Sequence, residues 1–258
     1  MKQIFIILTI VFFSVITEAQ TINRVSVSSS GGTLTGSNGS INYNIGETAI
    51  ASLSAGGNLL TLGFEQPSES SLNLKLFLQG YYINGGSMQP VLVNQGIAAS
   101  ANETDTIEIA LHDPLTFVKL ESTKTQLLTD GSVSVNFTQP EGTYYLSVKH
   151  RNSIQTWSAN PVECTASTTL YDFSAAVSMA MGDNQAMVEP GIFAFYTGDI
   201  NQDDFIDGND FPAYDTDSFN GVAFEYVATD LNGDGFVDGN DFPVFDNNSF
   251  NGITSIHP

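Results

Sequence analysis

The chain has 258 residues, with 28 acidic against 7 basic ones and a formal net charge of −21. This excess of acid excludes electrostatic binding to nucleic acid, because phosphates must be met by Lys and Arg, and it disfavours docking on an anionic membrane. A hydrophobic fraction of 41% with 18 Phe is too high for a disordered chain. We therefore expect a folded protein.

Residues 1–19 have the pattern of a secretory signal peptide. Lys2 supplies the positive start, an apolar run extends from Ile4 to Ile16, and Ala19 is the small residue before the expected cleavage. The apolar run is shorter than the roughly 20 residues that a membrane-spanning helix needs. We expect a secreted protein, extracellular or at the cell surface, with no membrane span after removal of the signal.

Residues 20–67 are expected to form a short N-terminal β segment. Ile41, Tyr43 and Ile45 alternate with polar residues, as the residues of half-buried strands do. Turns are predicted at three pairs: Gly31-Gly32, Asn38-Gly39 and Gly56-Gly57.

The N-terminal segment also carries a resemblance. Its Gly31-Gly32-Thr33, Ile45-Gly46-Glu47 and closing Gly63-Phe64-Glu65-Gln66-Pro67 resemble a β segment near the N-terminus of many secreted Bacteroidetes proteins. The resemblance implies an export address rather than an activity.

Residues 72–197 are predicted to form an immunoglobulin-like β-sandwich, because short strands with period-two alternation recur at regular spacing. Only Ala175–Met181 has a helical pattern. The predicted strands are Leu72–Leu78, Pro90–Val93, Thr106–Leu111, Phe117–Leu120, Ser132–Phe137, Thr143–Val148, Leu170–Phe173 and Ile192–Tyr196.

This predicted sandwich contains the only cysteine and the only cluster of basic residues. Cys164 excludes an intrachain disulfide, and its place in an alternating run predicts a buried, inert thiol. The cluster Lys149-His150-Arg151 is read as the solvated end of a strand. The alternative reading is a site for an acidic sugar, with Trp157 or Tyr144 as a stacking platform.

The same region resembles an extracellular β module of Bacteroidetes that commonly precedes calcium-binding repeats. The resemblance rests on Lys149-His150-Arg151-Asn152, on the segment Trp157-Ser158-Ala159-Asn160-Pro161 and on Tyr171-Asp172-Phe173.

Residues 198–258 contain a duplication. Segment 199–221 is identical to segment 230–252 at 15 of 23 positions, so the period is 31 residues. Residues 199–258 hold 13 of the 28 acids and neither Lys nor Arg. Such packed carboxylates repel one another unless a cation lies among them.

The acids of each repeat have the spacing of a 12-residue calcium loop, in which oxygen ligands come from positions 1, 3, 5, 7, 9 and 12. Position 7 contributes its backbone carbonyl. Position 6 must turn the chain at positive φ, which Gly235 does freely and Asp204 does with strain. Two Ca²⁺ sites are therefore predicted, with ligands Asp199, Asn201, Asp203, Phe205, Asp207 and Asp210 in loop one, and Asp230, Asn232, Asp234, Phe236, Asp238 and Asp241 in loop two.

The loops resemble those of dockerin-type repeats, which are EF-hand-like. The resemblance is carried by the opening Gly198-Asp199-x-Asn201-x-Asp203 and by Asp rather than Glu at position 12. It implies a small α-helical module of the kind that, in dockerins, docks onto a cohesin. The Ser-Thr recognition pair common in dockerins is replaced by Gly208-Asn209 and Gly239-Asn240, so the resemblance implies the fold of the module and not its partner.

The chain is expected to be mainly β and not an enzyme. It has no Gly-x-Ser-x-Gly elbow, no His-Glu-x-x-His motif and no phosphate-binding glycine loop. We expect a secreted, non-catalytic calcium-binding protein, a surface adhesion or polysaccharide-associated module whose partner is a carbohydrate, a cohesin-like protein or another surface protein. Two alternatives are kept: a dockerin-type docking component of a polysaccharide-degrading assembly, and an unrecognised glycan-active enzyme.

Overall fold

The structure, a computed structural model, describes residues 30–36, 39–45, 50–55, 58–62, 70–97, 99–165 and 169–258. In the ranges before residue 63, only the backbone is described. The predicted signal peptide lies outside the described residues. Within them, no helix combines the length and the hydrophobicity needed to cross a membrane. The chain divides between Gln66 and Pro67 into two compact units.

The first unit contains a four-stranded antiparallel sheet whose strands pair in sequence order. Gly31 and Gly32 lie inside the first strand, where they pair with Asn44 and Tyr43, so the turn predicted there is wrong. Glycine accepts extended backbone as readily as a turn, and the pair alone does not distinguish the two. The strands are β1 (Ser30–Gly36), β2 (Gly39–Ile45), β3 (Ile50–Ala55) and β4 (Asn58–Leu62).

The second unit is built around two larger sheets. One has the strand order β10-β5-β14, and the other has the order β12-β11-β8-β9 with β13 paired to β11. Two hairpins, β6-β7 and β15-β16, complete the strands of its described residues. The strands are β5 (Ser70–Lys75), β6 (Tyr82–Asn84), β7 (Ser87–Met88), β8 (Glu103–His112), β9 (Lys119–Leu128), β10 (Ser132–Phe137), β11 (Gly142–His150), β12 (Ser153–Trp157), β13 (Val162–Cys164), β14 (Thr169–Asp172), β15 (Ala186–Glu189) and β16 (Ile192–Ala194).

Both larger sheets contribute to one hydrophobic core. Leu72 and Leu74 of β5 and Val133 of β10 meet Ile109 of β8 and Leu146 of β11 in the same buried cluster. Along β5 and β10, buried positions alternate with more exposed ones, as the sequence pattern predicts. The prediction of a mainly β protein is confirmed, and the two sheets on one core are consistent with a β-sandwich.

One predicted strand is a helix. The run Pro90–Val93 contributes to helix α1 (Val91–Asn94), in which Val91 and Leu92 are buried. A short apolar run fits a buried helix as well as a strand, and periodicity does not separate the two. Gly96, with φ of 76°, follows the helix and reverses the chain.

The strand predicted at Phe117–Leu120 is only partly correct. β9 begins at Lys119 and continues to Leu128, while Phe117 precedes it with φ of 60°. Leu127 alone is buried along β9, which lies at an edge of its sheet. An edge strand with two largely wet faces lacks the apolar alternation from which strands are predicted.

The helix predicted at Ala175–Met181 is wrong. Three short 3₁₀ turns take its place, at Phe173–Ala175, Val177–Met179 and Met181–Asp183. They are separated by Ala176 and Ala180, which have extended backbone. Isolated 3₁₀ turns of this length are common as connectors.

The C-terminal segment contributes two helices, α2 (Phe211–Asn220) and α3 (Phe242–Phe250). Each has Pro in its first turn, where the missing N–H costs nothing. Phe245 of α3, Ile206 and Leu231 form a second buried cluster with Ile154 of β12. The sandwich and the duplicated segment therefore share apolar contacts and belong to the same compact unit.

Candidate metal-binding loops

Residues 199–210 and 230–241, here loop one and loop two, precede α2 and α3 and have the same local geometry. In loop one, Oδ1 of Asp210 accepts hydrogen bonds from the backbone N–H groups of Ile200 at 2.7 Å and Asn201 at 3.0 Å. Its Oδ2 accepts from the N–H of Asp207 at 3.0 Å. The three equivalent bonds join Asp241 to Leu231, Asn232 and Asp238 at 2.7, 2.9 and 2.9 Å. The position-12 carboxylate thus ties each loop into a ring.

The position-1 carboxylate accepts hydrogen bonds from backbone N–H groups in the middle of each loop. Asp199 accepts from the N–H groups of Asp203 at 3.1 Å and Asp204 at 3.3 Å. Asp230 accepts from those of Gly233 at 2.7 Å and Gly235 at 2.9 Å. The carboxylate at position 12 therefore binds backbone N–H groups at positions 2, 3 and 9, and the carboxylate at position 1 binds those between positions 4 and 6.

Each loop pairs with the segment that follows the helix of the other repeat. The N–H of Ile206 donates to the carbonyl of Ile253 at 2.8 Å, and the N–H of Val237 donates to that of Val222 at 2.9 Å. These two bonds are equivalent under the 31-residue period. The exchange gives the two repeats an approximate twofold relation and buries the apolar side chain at position 8 of each loop.

Two positions in each loop have positive φ. Position 6 is Asp204 at 70° and Gly235 at 92°, which confirms the predicted turn. Position 4 is Gln202 at 63° and Gly233 at 73°, which the sequence analysis did not predict. Loop one therefore holds two side-chain-bearing residues in the left-handed region, and loop two holds only glycines there.

In the part of the chain that the structure describes, the four carboxylates at positions 1 and 12 are buried and form no ion pair with a basic residue. Burial raises the pKa of Asp199 to about 6, with the charge of Asp210 as a second cause. Burial likewise raises the pKa of Asp241 to about 7, and the charge of Asp230 adds to the shift. Residues 199–258 contain neither Lys nor Arg. These buried negative charges are stable together only when protons or a cation compensate them.

The remaining predicted ligands are more exposed and are held by their own loop. Oδ1 of Asp203 accepts from the N–H of Phe205 at 3.1 Å, and Oδ1 of Asp207 accepts from that of Asn209 at 2.7 Å. The equivalent bonds in loop two involve Asp234 with Phe236 and Asp238 with Asn240. In the described part of the chain, no group of three or more His, Cys, Asp and Glu side chains has the arrangement of a metal site.

The donor set nevertheless fits a hard cation. Each carboxylate oxygen has two lone pairs, so an oxygen that accepts one hydrogen bond keeps a second pair for a metal. Within the described residues, the carbonyl oxygens of Phe205 and Phe236 accept no hydrogen bond. Oδ1 of Asp204 is buried without a partner. All the potential metal ligands of each loop are therefore oxygen atoms, and some of these atoms accept no hydrogen bond.

Loop two is docked on α1. The side-chain amide of Asn94 donates to the carbonyl of Gly233 at 2.8 Å. A Cβ atom at Gly235 would lie 2.4 Å from the carbonyl oxygen of Asn94, and one at Gly233 would lie 2.4 Å from Cγ2 of Val91. The glycines of loop two are thus required by this close approach as well as by their φ angles.

The basic cluster is not the solvated strand end that the sequence predicts. His150 is 3% exposed, and its Nε2 lies 3.1 Å from Oδ2 of the buried Asp105. Nε of Arg151 donates to the same oxygen at 2.9 Å, and the guanidinium also donates to the carbonyl of Val227. The hydroxyl of Tyr226 donates to Oδ1 of Asp105 at 2.8 Å. The cluster therefore holds Tyr226 and Val227, which lie in the chain between the two loops, against the sheet.

The two aromatic residues named as stacking platforms are buried, so that role is wrong for both. Tyr144 donates from its hydroxyl to the carbonyl of Pro140, and the Trp157 ring packs 4.0 Å from that of His112. Cys164 is buried and unpaired, as predicted, and burial raises the pKa of its thiol to about 11. This thiol stays protonated and unreactive.

Comparisons with known proteins give distant structural matches. No protein-family model and no curated protein matches the chain. Among solved structures, it is similar to a C-terminal interface mutant of a type II cohesin-X-dockerin complex from Acetivibrio cellulolyticus. That match has 14% identity and a TM-score of 0.42, and it covers 70% of this chain and 95% of that chain. The N-terminal interface mutant of the complex matches with the same identity and coverage and a TM-score of 0.41. Values this low establish no shared function.

Proposed function

We propose that the chain is a secreted, non-catalytic calcium-binding protein, in which each loop holds one Ca²⁺. An immunoglobulin-like sandwich presents the loops, and the whole serves adhesion or association with polysaccharide outside the cell. The observation that carries the proposal is the burial of four carboxylates, at positions 1 and 12 of the two loops, in a segment without Lys or Arg.

The chemistry of the loops favours calcium over other metals. Their ligands would be carboxylate, amide and carbonyl oxygens, which suit a hard cation, and no His or Cys belongs to the set. Ca²⁺ accepts six to eight oxygens in irregular geometry, whereas Mg²⁺ demands a near-ideal octahedron. A loop of twelve residues that closes on itself supplies irregular coordination more easily than a regular octahedron.

Calorimetric titration with calcium tests this proposal. We expect two ions per chain for the unaltered protein, and one each for Asp203→Ala and Asp234→Ala, which leave loop two and loop one intact, respectively. Asp246→Ala is the matched control, because Asp246 is an exposed acid of the same segment outside the loops. A loss in the control equal to that in the loop variants would show general attraction by acid rather than two built sites.

A docking role is the second candidate, and exposed aromatic residues favour it. Phe219 and Phe250 are 89% and 90% exposed and occupy equivalent positions in the two repeats. Exposed large apolar side chains at related positions are typical of interaction surfaces. The proposed partner is a cohesin-like protein, bound through a dockerin-like module made of the loops, α2 and α3.

A capture experiment separates the docking role from calcium binding alone. The full chain and its Phe219→Ser/Phe250→Ser variant are passed over immobilised cohesin with calcium and with chelator. Docking predicts retention of the unaltered chain in calcium only, and loss of retention by the variant. Equal retention of both chains, or of neither, would remove docking through these residues while leaving the calcium stoichiometry unaffected.

A further inference from the structure

A cavity of about 340 Å³ lies on the five-stranded sheet, and none of the carboxylates of the loops lines it. Its volume is within the range of about 300–1,000 Å³ usual for small-molecule sites. Three strands, loop one and the connection between the loops line it. Its lining includes Glu108 of β8, Lys124 of β9, Lys149 of β11, Arg151 directly after β11, Gln202 of loop one and Tyr226.

The cavity concentrates positive charge in a strongly acidic protein. Lys124, Lys149 and Arg151 are three of the seven basic residues of the chain. The register places Lys124 and Lys149 directly opposite Glu108, one on each side. The two lysines therefore lie on either side of Glu108, on the two strands that flank β8.

Two of these three cations are available to a ligand. Arg151 is committed, because its guanidinium donates to Asp105, to Val227 and to the side chains behind them. Glu108 lies 3.6 Å from the exposed Lys119, which offsets only part of its charge. Lys124 and Lys149 form no ion pair with any residue that the structure describes. The cavity thus keeps unpaired positive charge for an anion.

One wall is a fixed aromatic ring. Tyr226 is 44% exposed, its hydroxyl is held by Asp105, and the Arg151 guanidinium carbon lies 4.1 Å from its ring centroid. A ring held in this way cannot turn out of the cavity without breaking both contacts. It offers a rigid apolar surface beside the two lysines.

We propose that this cavity binds a sugar that carries a carboxylate, such as a uronic acid residue. Lys124 and Lys149 receive the carboxylate, Glu108 and Gln202 hydrogen-bond the hydroxyl groups, and Tyr226 packs against the sugar ring. The carboxylate of Glu108 disfavours a dianion such as phosphate and leaves a monoanion with hydroxyl groups as the better match. Loop one contributes only Gln202 to this site, so sugar binding and calcium binding are measured separately.

Ligand-observed NMR and calorimetry on the full chain test this proposal with methyl glucuronoside. Methyl glucoside has a hydroxymethyl group in place of the carboxylate, and acetate and inorganic phosphate supply negative charge without the sugar. We expect binding of methyl glucuronoside alone, with an affinity at least fivefold lower in Lys124→Gln and in Lys149→Gln. Lys75→Gln is the control, because it removes one positive charge from the other sheet.

The results that overturn the proposal are distinct. Equal binding of methyl glucoside removes the role of the carboxylate, and equal binding of acetate or phosphate shows a general anion site. Full affinity in both lysine variants, or no binding by the unaltered chain, removes the site altogether. None of these outcomes alters the calcium stoichiometry, which is measured separately.

Discussion

The side-chain amide of Gln95 donates a hydrogen bond of 2.7 Å to Oδ2 of Asp230, the first residue of loop two. Both residues are buried. Gln95 in turn accepts from Arg151 at 2.7 Å, so the fixed cluster on the sheet reaches the proposed calcium ligand through one residue. In loop one, the carboxylate of Asp199 accepts only from backbone N–H groups of its own loop among the described residues. The position-1 carboxylate is therefore held from outside the loop in loop two, and by its own loop in loop one.

Removal of this contact should weaken loop two alone. In a background of Asp203→Ala, which disables loop one, we expect Gln95→Ala to lower calcium affinity about fivefold, corresponding to the roughly 1 kcal/mol of one buried hydrogen bond. Calorimetry measures the change. In the Asp234→Ala background, where only loop one binds, the same substitution should have no effect. An equal loss in both backgrounds would point to general destabilisation.

Loop two should bind calcium more tightly than loop one. Gln202 and Asp204 hold positive φ in loop one at a cost on the order of 1 kcal/mol each, and loop two has glycine at both positions. Asp204 adds negative charge near the ion, but solvent and salt reduce that gain. We expect both dissociation constants within about 10⁻⁵ to 10⁻³ M. Tighter binding by the Asp234→Ala protein, which keeps loop one, would reverse the ranking.

Two substitutions in loop one separate strain from charge. Asp204→Gly removes both the strain and the extra carboxylate, whereas Gln202→Gly removes strain without a change in charge. We expect each to raise the calcium affinity of loop one, as titrated in the Asp234→Ala background. If Gln202→Gly has no effect while Asp204→Gly weakens binding, charge governs the loop and the strain argument fails.

Glycine at position 6 of loop two should be required for folding of the second unit. A Cβ at Gly235 meets the Asn94 carbonyl oxygen at 2.4 Å, and the backbone there has φ of 92°. Gly235→Ala should lower the free energy of unfolding by on the order of 2 kcal/mol or more, measured by denaturant titration. Gly239→Ala is the matched control in the same loop, since a Cβ there has no neighbour within 4 Å. Equal stability of the two variants would mean that loop two is not packed on α1.

The calcium-free protein should lose stability as the pH rises from about 5 to 7.5. Burial raises the pKa values of Asp199 and Asp241 to about 6 and 7, above the roughly 4 of an unfolded chain. The folded state therefore binds more protons in this interval, and its free energy of unfolding falls with pH. His112, whose pKa is lowered by burial, acts in the opposite sense but is a single group.

Calcium should reverse this pH dependence, because it binds the ionised carboxylates and replaces the protons. Thermal unfolding at pH 5 and pH 7.5, with calcium and with chelator, measures both slopes. The Asp199→Asn/Asp241→Asn variant should lose most of the dependence in chelator. A calcium-free melting temperature that rises with pH would contradict the assignment of these carboxylates as uncompensated.

The loops could be predicted from the sequence because their geometry is local. Twelve residues with oxygen at fixed positions specify their own turn, and the positive φ of Asp204 and Gly235 follows from position alone. The positive φ of Gln202 was missed, since Gln carries no turn signal. Gly233 occupies the equivalent position 4 of loop two, and this glycine is the sequence signal for positive φ at that position.

The contacts that join the loops to the sheet could not be predicted. Gln95 and Asp230 are 135 residues apart, and Arg151 and Asp105 are 46 apart, so no spacing in the sequence relates them. A basic triplet at a strand end is usually solvated, but in this one the buried Asp105 holds His150 and Arg151 against the sheet. The bounds of the edge strand β9 and the helical state of α1 could not be predicted for a similar reason, because their neighbours in the fold determine them rather than their local pattern.

The most direct measurement is native mass spectrometry of the full chain in millimolar calcium at pH 7.5. The account predicts the polypeptide with two calcium ions, falling to one in Asp210→Asn or Asp241→Asn. The bare polypeptide mass under these conditions, or two ions retained in the Asp210→Asn/Asp241→Asn chain, would contradict calcium binding by these loops.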